Sequence, residues 1–92
     1  MSQKDAYIQK INAQLDEWKA KLDVVKAKAN NKGADSRIDY EKKADELDAK
    51  LAALREKRDE LKKSAEDNWD KIRQKAEQQM EEVKSTLASL TS

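Results

Sequence analysis

Lys62-Lys63-Ser64-Ala65-Glu66-Asp67-Asn68 decides whether this chain is two helices or three. The segment lies between two apolar patterns of different period. It holds neither glycine nor proline, and serine within a helix costs only about 0.5 kcal/mol relative to alanine. The competing signal is Ser64 followed three residues later by Asp67, a capping-box spacing that would open a new helix. On local cost the segment reads as helical, joining its flanks into one long second helix over about residues 36–90. A turn near Ser64, which makes a three-helix bundle, is the alternative.

Upstream of that segment the apolar residues advance by alternating three- and four-residue steps, the spacing of a coiled-coil seam. The first series is Ile8, Ile11, Leu15, Trp18, Leu22, Val25 and Ala29; the second is Tyr40, Ala44, Leu47, Leu51, Leu54, Arg58 and Leu61. Between them Asn30-Asn31-Lys32-Gly33-Ala34-Asp35 reads as a turn over residues 30–35. Gly33, the only glycine, is expected in the left-handed conformation of a helix end. Ser2 with Asp5 caps a first helix over about residues 3–29, and Ser36 with Asp39 is expected to cap the second. Folding the chain at Gly33 mirrors the two series. Val25 meets Tyr40, Leu22 meets Ala44, Trp18 meets Leu47, Leu15 meets Leu51 and Ile11 meets Leu54, all in one register. The short connection makes the arms antiparallel, each ~40 Å long at about 1.5 Å per residue. Arg58 falls opposite Ile8 in this seam, read either as snorkelling or as a polar register-setter.

Downstream the period changes. Trp69-Ile72-Ala76 and Met80-Val83-Leu87 repeat at eleven residues, with Leu90 beyond, so this stripe runs nearly straight along its helix. In a continuous second helix the stripe Trp69, Ile72, Met80, Val83, Leu87 and Leu90 has no partner within the chain. It is therefore the candidate interaction surface. Ala6, Ala13, Ala20 and Ala27 recur every seven residues on the far side of the first helix, as helix formers or as a second close-packing row.

Composition narrows the functional classes. Charged residues make up 42% of the 92, but the sustained period and the absence of proline favour long helices over disorder. The expected fold is all-α, a single helical coiled-coil domain over 1–92. Net charge is +1, which argues against nucleic-acid binding. Residues 1–32 are net basic and residues 64–92 net acidic, which favours the first segment packing near the last. With no histidine and no cysteine, no metal, cofactor or thiol site is expected. Acidic pairs such as Asp45/Glu46 and Glu81/Glu82 sit among lysines on helical faces rather than in a cleft, so no catalytic residue, enzyme activity or small-molecule substrate is expected. No apolar run approaches membrane-spanning length, and a soluble, cytoplasmic protein is expected.

The opening Ser2-x-Lys4-Asp5-Ala6-Tyr7-Ile8-x-Lys10-x-x-Ala13-x-Leu15-Asp16-Glu17-Trp18 resembles a group of short, uncharacterised bacterial coiled-coil-domain-containing proteins. Leu61-Lys62-x-x-x-Glu66-Asp67-x-Trp69-Asp70-x-Ile72-x-x-x-x-Glu77 resembles their later part. The resemblance implies a small, soluble bacterial helical protein and no activity or ligand. The leading functional expectation is a structural or interaction module that forms a homo-oligomer or docks a protein partner through its apolar stripes. The second, weaker one is a surface-active helix resembling phasins, with Trp69 anchoring it on a lipid or polymer-granule surface.

Overall fold

The computed structural model describes residues 2–91. It contains three α-helices, α1 (Gln3–Ala29), α2 (Ala34–Lys63) and α3 (Trp69–Thr91), and no strand among those residues. The all-α class and the antiparallel α1–α2 hairpin are as expected. The long second helix is not: the chain turns over residues 64–68.

The turn is built from residues whose local preferences also allow a helix. Ser64 is extended (φ −73°, ψ 149°) and caps the end of α2. Its hydroxyl donates back to the Leu61 carbonyl at 2.7 Å, and its own carbonyl accepts the Lys4 ammonium at 2.8 Å. The Asn68 and Trp69 amides then donate to the Ala65 carbonyl at 3.0 and 3.2 Å, starting α3. Ser64 thus closes a helix where the capping-box spacing predicts that it opens one. The physical reason is tertiary. Continuing the helix saves a few tenths of a kcal/mol at each of a handful of residues. Folding back buries Ala76, Met80, Val83, Leu87 and Leu90, and each large apolar side chain buried contributes ~1.5–3 kcal/mol.

The first connection also differs in detail. Asn30 stays right-handed, and the Asn31 and Lys32 amides reach the Lys28 and Ala29 carbonyls at 3.0 and 3.2 Å. Those bonds satisfy the end of α1 without any left-handed residue. Gly33 is extended (φ −64°, ψ 163°) and is itself the N-cap of α2, with no side chain to cap it. Ser36 consequently lies inside the first turn of α2 rather than ahead of it. At the other end the expectation holds, since Ser2 Oγ accepts the Asp5 amide at 3.1 Å.

α2 is the spine of the molecule. Leu47, Leu51, Leu54 and Leu61 are all 0% exposed, because α1 covers their stripe from one side and α3 from the other. Ile8, Ile11, Leu15, Trp18, Leu22 and Val25 join them from α1, and Ala76, Met80, Val83, Leu87 and Leu90 from α3, in one continuous core. Tyr40, at the mouth of the hairpin, is only half-buried, with the Lys32 ammonium 5.1 Å from its ring centre. Arg58 is not a core residue. It leans out of the seam and donates to Asn12 Oδ1 at 3.2 Å and to Asp59 Oδ1 at 3.3 Å.

Candidate functional site

The stripe expected to be free is inside the molecule. Met80, Val83, Leu87 and Leu90 are buried, and Trp69 and Ile72 pack half-buried against the same core. Residues chosen on the premise of a continuous helix therefore serve as the α3 half of the bundle. The alanine row Ala6, Ala13, Ala20 and Ala27 is exposed, so α3 does not cover it.

What the fold leaves open is the space between α1 and α3. Both helices pack along α2, but their backbones scarcely approach each other. They run parallel, each antiparallel to the spine, and a groove follows them along the long axis of a 51 × 20 × 19 Å body. Side chains bridge the groove at its upper end. The Tyr7 hydroxyl lies 3.8 Å from Met80 Sδ, and the Tyr7 and Trp69 rings are 6.1 Å apart and tilted by 46°. Burial first, and the negative charge of Glu77 second, push the Tyr7 phenol up to about 12. Arg73 lies over Trp69 at 5.6 Å, held by Asp70 at 2.6 Å and Glu77 at 3.1 Å. This aromatic and ionic clasp fixes the distance between the helix starts.

Below the clasp the groove divides by chemistry. The upper section, beside Tyr7, Trp69, Asp70 and Glu77, has a volume of ≈ 560 Å³. A middle section of ≈ 630 Å³ is walled by Lys10, Gln74, Gln78 and Glu81. The last, of ≈ 380 Å³, is bounded by Trp18, Val24, Val25, Leu87, Ala88 and Leu90, with Lys21, Lys28 and Lys84 at its edge. Trp18 is thus a core residue whose remaining exposed edge faces the groove. Val24, with about half of its surface exposed, is the apolar residue that the seam pattern left out. It stands one position before the seam residue Val25, and that doubled valine was the available sign of a second apolar edge on α1. The lysines gave no comparable signal, because lysine occurs on every exposed face of this chain.

The remaining polar groups hold the bundle together. Thr86, buried against α2, accepts the Lys50 ammonium at 2.8 Å and donates to the Glu82 carbonyl at 3.0 Å. Glu17–Lys21, Arg37–Glu41 and Glu81–Lys84 are exposed intrahelical ion pairs that contribute a few tenths of a kcal/mol each. No cluster of three acidic, histidine or cysteine side chains suited to a metal ion occurs among the described residues. Among the described residues no helix is long and apolar enough to cross a membrane. Comparison with protein-family models, curated proteins and solved structures finds no match to this chain.

Proposed function

We propose that this protein is a non-enzymatic interaction module of the cytoplasm, a preformed three-helix scaffold that takes a further helix along its α1–α3 groove. The observation that carries this reading is the asymmetry of the packing: α2 is covered on both flanks while α1 and α3 leave their facing edges apart. A helix laid there, from a second copy or another protein, completes a four-helix arrangement with ordinary interhelical spacing. The middle of the groove offers amide and charged side chains for register, and its lower end offers apolar area, the combination that helix-in-groove recognition uses. Photo-crosslinking side chains placed at Gln78 and Ala88, both exposed in the groove, should give an adduct of discrete mass. The same groups at Ala20 and Lys42, exposed elsewhere, should give none. Equal labelling from both sets would remove the proposal.

The faces of α3 are segregated more sharply than those of α1 or α2. This supports a second reading, in which α3 swings out on the 64–68 turn and lies on a lipid or polymer surface. That reading requires Trp69 to enter apolar surroundings when vesicles or hydrophobic droplets are added. Unchanged tryptophan emission excludes it.

A further inference from the structure

The lower end of the groove differs from the rest in charge as well as polarity. Its floor is made by Trp18, Val25, Leu87 and Leu90, all buried, and its lip by the half-exposed Val24. Every charged residue lining it is a lysine, whereas Asp70, Glu77 and Glu81 line the sections above. Lys21 and Lys84 are shared with Glu17 at 3.3 Å and Glu81 at 3.6 Å, exposed pairs that restrain a side chain only weakly. Lys28 pairs with no carboxylate among the described residues.

Two helix C-termini, those of α1 and α3, point toward this end, and each carries about half a negative charge. The start of α2 arrives beside them, since Ser36 and Tyr40 share a depression with Leu90, and returns about half a positive charge. Three lysines against Glu17 and Glu81 leave about one positive charge, centred on Lys28. This exceeds the about half negative charge of that balance, so the slot is an apolar cavity with a weakly positive rim. Its ≈ 380 Å³ falls near the small end of the about 300–1,000 Å³ typical of small-molecule sites. That is room for one alkyl chain rather than two.

We propose that this slot binds a single-chain amphiphile with an anionic head, of the medium-chain carboxylate class. The tail lies on Trp18, Val25, Leu87 and Leu90, and the carboxylate sits among Lys21, Lys28 and Lys84. The inference departs from the sequence expectation of no small-molecule ligand. A helix docked along the whole groove would cover this slot, so the two occupants compete for it.

The test uses dodecanoate as the probe, kept below its micelle concentration. Trp69→Phe keeps a ring against Tyr7 and leaves Trp18 as the only indole. Its emission should change saturably with one dodecanoate per chain, and calorimetry on the unaltered protein should give the same stoichiometry. Affinity should rise by up to about fourfold per methylene from octanoate to dodecanoate. Dodecyltrimethylammonium, with the same tail and the opposite charge, should bind at least about tenfold more weakly. Val24→Asp, at an exposed position that leaves thermal melting unmoved, should weaken dodecanoate by a similar factor, and Lys28→Glu by several-fold. Equal binding of both amphiphiles, or a response that begins only when micelles form, would overturn the proposal. So would emission that follows protein concentration alone, which is the mark of a second copy closing the slot.

Discussion

Gln79 carries a side-chain oxygen, Oε1, that is buried with no hydrogen-bond partner among the described residues. An acceptor left in that state costs ~1–3 kcal/mol, and nothing in the bundle uses it. Gln79→Met keeps the length of the side chain and removes the orphan atom. It should stabilise the fold by about 1 kcal/mol in urea unfolding, with an unchanged slope against denaturant; a loss of stability would mean that the amide makes a bond that matters. Tyr7 gives a residue-scale prediction in pH. Its phenol is raised from 10.0 to about 12, so the folded chain keeps a proton that the unfolded chain has lost in that window. The stabilisation from a neutral Tyr7 is intact below pH 10.0 and falls away as pH climbs to about 12. Tyr7→Phe should remove this part of the alkaline decline, read as a shallower fall of melting temperature with pH than in the unaltered protein. Equal slopes would place the phenol in water rather than against Trp69 and Met80.

At the scale of the elements, the two connections show what was legible and what was not. The α1–α2 hairpin was legible as two antiparallel helices, because both apolar series advance by three- and four-residue steps and a glycine marks the bend. Its register was not, since Arg58, expected opposite Ile8, bonds Asn12. The cap at Gly33 was misread because local conformational preference does not say which of several turn residues does the capping. Since Gly33 has an ordinary φ of −64° and an added Cβ meets nothing within 4 Å, Gly33→Ser should fit without strain. It would supply the missing cap and stiffen the unfolded chain, a gain of roughly 0.5–1 kcal/mol, seen as a rise of a few degrees in melting temperature. The 64–68 turn was illegible for a different reason. Its residues have no strong preference, and the deciding term is burial of Met80, Val83 and Leu87 more than a dozen positions away. The groove inherits that blindness, because its walls become neighbours only once α3 has folded back. Only the doubled Val24-Val25 hinted at it. Ser64→Ala removes the hydroxyl bond to Leu61 and restores a better helix former, so it should lower stability by ~0.5–1.5 kcal/mol in denaturant unfolding. A gain in stability instead would favour the straight helix.

For the whole molecule, the basic first segment and the acidic last one do lie side by side, as α1 and α3, but with a groove between them rather than a seam. Shared reliance on α2 explains this. Leu47, Leu51, Leu54 and Leu61 are fully buried from both flanks, so each outer helix satisfies its apolar face against the spine and has little left for the other. The clasp of Tyr7, Trp69 and Arg73 then sets the opening at one end, and the lysine-rimmed slot occupies the other. The groove and its lysine-rimmed slot both depend on α3 folding back along α2. Double electron–electron resonance tests this most directly, and the chain's lack of cysteine allows clean labelling of Lys43→Cys with Ser85→Cys, two exposed positions. Lys43 shares a depression with Ser89 and Leu90, and packed helices lie about 8–10 Å apart. In doubly labelled protein diluted into an excess of unlabelled chain, the account predicts a single short distance, within about 20 Å. A distance near 60 Å, the rise of one unbroken helix at about 1.5 Å per residue, would contradict it.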